Sequence, residues 1–215
     1  MDDTIEVSGM VLSSMPMGEN DRRVVLLTRE LGKVSAFATG ARRQGNTLMA
    51  PTNPFVFGTF YLKPGRSAYK LVQVKVLDYF TEMAKMQPGV YYGYYFLEFA
   101  GYYMREGLDG TDTLNLLYLT VRALMKPELD DRLIRRIFEL RLMTINGEYA
   151  PEASGISEGT LYTIQYIMQA PLTKLYTFAV TEEILRELSR TLERHMRRVL
   201  DRQIKSKQIL EMMLD

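Results

Sequence analysis

The hydrophobic period of this 215-residue chain changes once, near Phe80. Before that point apolar residues alternate, as in a half-buried strand. After it they recur every three to four residues, as in a helix. The switch predicts an α+β protein, with a β domain over residues 1–80 and a helical domain over 81–215. Ile5, Val7 and Val11 alternate in the first predicted strand, and Arg22 to Thr28 is the second. Glu30-Leu31-Gly32-Lys33 is a tight connection in which Gly32 can take positive φ. Val34 to Ala41 returns as the third strand, and a polar passage follows from Arg42 to Pro54. Phe55 to Lys63 is the fourth. Pro64-Gly65-Arg66-Ser67 is a turn, and Tyr69 to Phe80 is the fifth, with Val72, Val74 and Val76 on one face. Five strands with a long loop after the third are the pattern of a small closed barrel such as the OB-fold.

The second part reads as helices. One starts beyond Pro88-Gly89 and is rich in aromatic residues, Tyr91 to Tyr103. Others cover Thr113–Met125, Asp130–Ile145 and Thr160–Gln169, with a further one over Leu172–Phe178. The last starts near Thr181, an N-cap followed by Glu182 and Glu183 in the first turn. Ile184, Leu188, Leu192 and Val199 line its apolar face, and Glu193–Arg197 is an i,i+4 pair on the other. The tyrosines of the first helix could stack on bases, but a helical aromatic stripe more often packs in a core.

Several function classes are excluded. The chain has no cysteine, hence no disulfide, no thiol catalysis and none of the usual sulfur ligands for zinc. Its one histidine, His195, lies beside the apolar seam of the last helix and reads as a satisfied, partly buried side chain. No phosphate loop, dinucleotide fingerprint, nucleophile elbow or zincin motif occurs. Acidic pairs such as Asp130-Asp131 sit at helix starts, where charge–dipole attraction accounts for them. Neither a catalytic residue nor a metal site nor a cofactor is expected. No apolar run reaches the ~20 residues that span a bilayer, and no secretory leader is seen, so a cytoplasmic protein without membrane contact is expected.

Charge is distributed unevenly. The chain carries 27 Lys+Arg against 26 Asp+Glu, yet no acidic residue occurs between Glu30 and Asp78. That stretch holds Lys33, Arg42, Arg43, Lys63, Arg66, Lys70 and Lys75, interleaved with Phe37, Phe57, Tyr61 and Tyr69. Scattered cations usually mark a solvated strand face. A single-sign block with rings among its charges favours nucleic acid, whose phosphates need cations and whose bases stack on aromatics. The block alone does not separate DNA from RNA, and a barrel that docks only protein stands as a third reading.

An ordered set of motifs resembles the bacterial recombination mediator family RecO. It begins with Val11-Leu12, Gly18-Glu19-Asn20-Asp21-Arg22 and Leu27-Thr28-Arg29-Glu30-Leu31-Gly32-Lys33-Val34-Ser35, then Ala38-Thr39-Gly40-Ala41-Arg42-Arg43. It continues through Asn46-Thr47-Leu48, Pro54-Phe55, Tyr95-Phe96-Leu97-Glu98, Phe138 to Met143, Gly147, Pro151 and Ile204-Lys205-Ser206, which precedes a final short helix in the family. The resemblance covers essentially the whole chain. It departs at one place: many members carry a four-cysteine zinc knuckle whose first pair follows that proline, and here Ala153, Ser154 and Gly155 stand there.

The resemblance implies an N-terminal OB-fold and a helical domain. It implies binding of single- and double-stranded DNA, annealing of complementary strands, and partnership with RecR and the acidic C-terminal tail of single-stranded DNA-binding protein (SSB). Through these, it implies indirect loading of RecA. No nucleotide is consumed. The seven cations are the expected DNA contacts. Arg132, Arg135 and Arg136 are the expected dock for the SSB tail, in a helical domain whose apolar grooves are also flanked by Arg141, Arg197 and Arg198.

Overall fold

The computed structural model describes residues 3–151 and 155–214. The strands are β1 (Ile5–Met17), β2 (Asp21–Thr28), β3 (Gly32–Ala38), β4 (Phe57–Lys63) and β5 (Tyr69–Asp78). They close into a barrel in the order β1-β2-β3-β5-β4, antiparallel except where β3 meets β5. This is the OB-fold that the strand pattern predicts. Alternation sends Val7, Val24, Leu26, Val34, Ala36, Phe60 and Leu62 inward to fill the barrel. Gly58 is required by close approach: a Cβ there would lie 2.3 Å from the Lys75 carbonyl oxygen. Gly32 closes the β2–β3 hairpin at a φ of 65°, where a side chain is strained.

Strand limits follow hydrogen bonding more closely than composition. β3 stops at Ala38, and β4 starts at Phe57 rather than Phe55. In β5 the register against β4 slips: Leu71 faces Leu62, but Gln73 faces Tyr61. The extra residue, Val72, is 43% exposed, whereas Val74 and Val76 pack against the core. The bulge reverses the phase of the strand, so the three valines expected on one face do not share it.

Among the described residues six α-helices follow: α1 (Gly89–Tyr103), α2 (Thr111–Leu124), α3 (Asp131–Ile145), α4 (Glu158–Gln169), α5 (Glu182–Val199) and α6 (Lys205–Leu214). Side-chain caps set three starts. Asp130 accepts from the Arg132 amide, Ser157 from that of Thr160 and Thr181 from that of Ile184. The helix expected over Leu172–Phe178 is one 3-10 turn, Leu172–Lys174, because a segment this short cannot offset helix nucleation. Tyr176 then turns inward, its hydroxyl 2.5 Å from that of Thr120. A second 3-10 turn, Thr81–Lys85, has no counterpart in the sequence reading. No helix among the described residues is long and apolar enough to cross a membrane.

The chain forms two compact units, residues 1–82 with 97–114 and residues 83–96 with 115–215. The expected division at residue 80 assigns 97–114 to the helices, whereas this segment packs with the barrel. In the first unit the β2–β3 hairpin is stitched to it. Gly107 donates its amide to Leu31, Gly110 to Arg29, and Lys33 donates to Arg105. In the second unit α1 turns Tyr92, Tyr95 and Phe96 into the core, with the Phe96 and Phe138 rings 4.6 Å apart. These rings pack rather than stack on bases.

Candidate nucleic-acid interface

Register assigns the barrel's outward side chains to rows. Met15 pairs with Arg23 across β1–β2, Arg23 with Phe37 across β2–β3, Phe37 with Lys70 across β3–β5, and Lys70 with Lys63 across β5–β4. Phe37 is half-buried and the other four are exposed. Lys63 and Lys70 stand directly opposite each other, an arrangement that like charges disfavour and that an anion between them would relieve. The Arg23 guanidinium is steadied by a 3.2 Å hydrogen bond to the Ser35 hydroxyl. Further along, Thr59 pairs with Lys75 and Tyr61 with Gln73. The Lys75 ammonium lies 5.1 Å from the centre of the Tyr61 ring. A hydrogen bond to the Tyr61 hydroxyl raises the Lys75 pKa, so this side chain is cationic throughout the neutral range. Glu6 pairs with Tyr61 from β1 and bounds the cationic surface there. Arg66 is exposed in the turn between β4 and β5.

The loop after β3 presents Arg42 and Arg43, both exposed. Its backbone is fixed at several points. Asp21 accepts the Gly40 amide at 2.7 Å and Asn20 accepts the Arg42 amide at 2.8 Å. The Arg42 guanidinium donates to the Gly18 carbonyl at 3.0 Å. Arg22 anchors the far side of the loop, donating to Met49, Thr52 and Asn53. Thus Arg22 is structural, while Arg42 and Arg43 sit on a held loop with their charge in solvent.

Lys33 departs from the expectation. It is half-buried, and its ammonium donates to the Gly101 carbonyl. It ties the barrel to the 97–114 segment and is not presented to a phosphate. Arg23 enters in its place. Sequence reasoning missed it because Glu30 lies between it and the acid-free stretch; only strand pairing brings it to Phe37.

The three arginines of α3 divide. Arg132 is exposed and paired with Asp130 at 2.7 Å and Glu182 at 3.0 Å. Arg135 and Arg136 are buried and hold Glu139, which is fully buried, at 2.9 and 2.7 Å. The Tyr95 hydroxyl donates to the same carboxylate at 2.6 Å. Burial alone would raise the Glu139 pKa, but the Arg136 and Arg135 charges and the Tyr95 hydrogen bond outweigh it and hold the carboxyl down to about 2. Glu193 accepts from Arg135 at 3.2 Å and from Arg136 at 2.9 Å. It therefore does not make the surface pair with Arg197 that helical spacing predicts. All three arginines still line a groove of about 990 Å³, together with Arg186, Arg190, Leu185 and Leu214. Arg132, Arg186 and Arg190 are its exposed cations. Arg141 closes the C-terminal end of α4 through the Ile167 and Met168 carbonyls.

His195 meets the Glu148 carbonyl at 2.7 Å and the edge of the Tyr149 ring, the satisfied environment its sequence position predicts. The knuckle positions Ala153 and Ser154 lie outside the described residues.

A family model for the N-terminal domain of recombination protein O matches residues 1–80, and one for its C-terminal domain matches residues 146–208. A DNA repair protein RecO of Alkaliphilus metalliredigens is 34% identical over 143 residues, 66% of this chain and 58% of that protein. That of Acetivibrio thermocellus is 25% identical over 233 residues, covering 92% of each chain. That of Clostridium perfringens is 23% identical, covering 96% of this chain and 97% of its own length.

Proposed function

The chain belongs to the RecO family of DNA repair proteins, and from that membership we propose that it is a non-enzymatic recombination mediator whose barrel holds DNA by its backbone. The observation that carries this reading is the outward row of Arg23, Phe37, Lys70 and Lys63, flanked by Lys75 over Tyr61. Cations spaced by rings suit a strand whose phosphates and bases alternate, and such contacts carry no sequence preference. Arg42, Arg43 and Arg66 extend the charge. Both single- and double-stranded DNA are bound, and release of condensed counterions drives the binding. Neutralising the phosphates lowers the repulsion between complementary strands, so the protein anneals them. It works in the cytoplasm, at the nucleoid, and takes no cofactor.

Titration of labelled oligonucleotides at several salt concentrations tests the reading. The Arg42→Ala/Arg43→Ala variant should bind single strands more weakly, with a log–log salt slope reduced by roughly 1.4, or about 0.7 for each phosphate no longer neutralised. Its melting temperature should stay within about 2 °C of wild type, since exposed arginines add little to folding. An unchanged slope removes the loop from the interface. RNA bound in preference to DNA, or no salt-dependent binding at all, would replace the reading with one of its rivals.

In the second unit, the groove of about 990 Å³ is the proposed dock for the acidic, apolar C-terminal tail of SSB. Arg132, Arg186 and Arg190 offer guanidinium forks for carboxylates beside the apolar Leu185 and Leu214. Arg135 and Arg136 shape this groove from within and cannot be reversed without unfolding it. We expect Arg132→Glu/Arg186→Glu to weaken binding of an SSB-tail peptide about tenfold, measured by fluorescence anisotropy, with DNA affinity unchanged. Equal peptide affinity would place the tail elsewhere. RecR is the remaining direct partner and RecA the indirect one. Co-purification of RecR with the tagged chain tests the first, and RecA loading on SSB-coated strands tests the second.

A further inference from the structure

Two grooves of the second unit meet at Leu214, near the end of α6. It lines both the groove of about 990 Å³ and a neighbouring one of about 540 Å³, as do Tyr92 and Arg132. The neighbouring groove has the same cationic and apolar character: Lys85 and Lys126 are exposed along it, beside Met86, Pro127 and Leu129. Leu214 thus stands where the two would otherwise run into one. Glu211 lies one helical turn before it, on the same face. Its carboxylate is 3.5 Å from the Arg135 guanidinium. A carboxylate on an arginine of α3 beside an apolar side chain is the chemistry proposed for the SSB tail, here supplied by the chain itself. The helix that carries it is lightly held. Only Leu210 of α6 is buried, whereas α5 buries Leu185, Leu188, Leu192 and Met196. Ile209, Met212, Met213 and Leu214 are all exposed. Lys207 ties α6 to Glu193, and Glu211 ties it to Arg135 through a carboxylate that is half exposed. An element with so little buried apolar surface opens at low cost.

We propose that α6 is an autoinhibitory segment: Glu211 and Leu214 occupy part of the peptide-docking surface, and an acidic, apolar tail displaces them to reach both grooves as one. The exchange is conservative. One carboxylate leaves Arg135 as another arrives, so the buried guanidinium keeps its partners, and one apolar side chain replaces another between the grooves. Leu214 is then a stand-in for the tail's own apolar residue rather than a fixed wall. Peptide affinity is set by the fraction of molecules in which α6 is open as well as by the contacts of the groove. The proposal rests on the reading of the larger groove as the dock for the SSB tail, and its test is arranged to fail separately from it.

The full chain and its Glu211→Gln/Leu214→Ser variant are titrated with a fluorescently labelled SSB-tail peptide and followed by anisotropy. The variant should bind about tenfold more tightly, the gain expected if the closed form holds roughly nine-tenths of wild-type molecules. Its melting temperature should stay near that of wild type, because both altered side chains are largely exposed. A second measurement leaves Glu211 and Leu214 in place. The chain has no cysteine, so Met213→Cys carries a spin label at one defined position. Saturating peptide should turn the spectrum of that label from that of an ordered helix to that of a mobile segment. Wild-type protein that binds the peptide while the double variant binds it equally or more weakly overturns the proposal and leaves the dock standing, since Leu214 is then a wall of the groove. A label whose mobility does not change at saturating peptide does the same. Peptide bound by neither protein overturns the dock itself, and the proposal with it.

Discussion

Glu139→Ala should lower the melting temperature by about 10 °C or more. The substitution leaves the buried guanidinium groups of Arg135 and Arg136 sharing the half-buried Glu193, with only the exposed Glu211, 3.5 Å from Arg135, beside it. Removing one member of a buried ion pair costs about 3–5 kcal/mol, a large share of a typical folding free energy of roughly 5–15 kcal/mol. For a chain of this size each kcal/mol shifts the midpoint by about 2–4 °C. The triple change Arg135→Met, Arg136→Leu and Glu139→Leu should be much milder, because it removes the charges together. Circular dichroism melts of both variants check this. A triple variant less stable than the single one would mean that the network's hydrogen bonds, not its uncompensated charge, dominate.

The same carboxylate makes stability depend on acid. Its folded pKa, about 2, lies below the unfolded value, so its contribution is fully present above pH ~4.5 and is lost as pH falls from there toward 2. The loss is on the order of 3 kcal/mol. Acid melts of the triple variant, which lacks the carboxyl, should lack this step.

The second large effect concerns the barrel. Arg23→Glu, Lys63→Glu and Lys70→Glu together should lower single-strand affinity by about two orders of magnitude at low salt, with a slope reduced by roughly 2. Lys33→Gln, by contrast, should leave the slope unchanged and lower the melting temperature, because its ammonium holds the Gly101 carbonyl rather than solvent. If Lys33→Gln changes the slope while the triple variant does not, the outward row is not the DNA surface.

Comparing these residues shows what can be read before folding. The β-branched, apolar run Arg22–Thr28, the returning strand expected from Val34 to Ala41 and the helix starts at Asp130 and Thr181 are local signals, and they place β2, the body of β3, α3 and α5. The bulge at Val72 is hidden, because composition does not say where a ladder slips. Exposure of Arg42 and Arg43 follows from their Gly-rich loop. Burial of Arg135 and Arg136 does not follow from their helix: an arginine three or four residues before a glutamate reads as a surface pair until the partner is known to be enclosed. Arg23 and Lys33 exchange roles for a related reason. Each sits at an outward strand position, and only what covers that position decides whether the charge meets solvent or a carbonyl.

The stitching of the β2–β3 hairpin to residues 101–110 bears on how such a barrel can be transplanted. Leu31 and Arg29 give their carbonyls, and Lys33 its amide, to a segment that returns only after part of the second unit has been threaded. No single cut in the chain therefore releases the barrel's unit free of residues 83–96, which belong to the other. A fragment ending near residue 80 would carry all five strands but leave these groups, and the Lys33 ammonium that holds the Gly101 carbonyl, unsatisfied. The barrel of this protein is not a cassette. Its modularity, visible as five consecutive strands, stops at the hairpin that the later chain comes back to close.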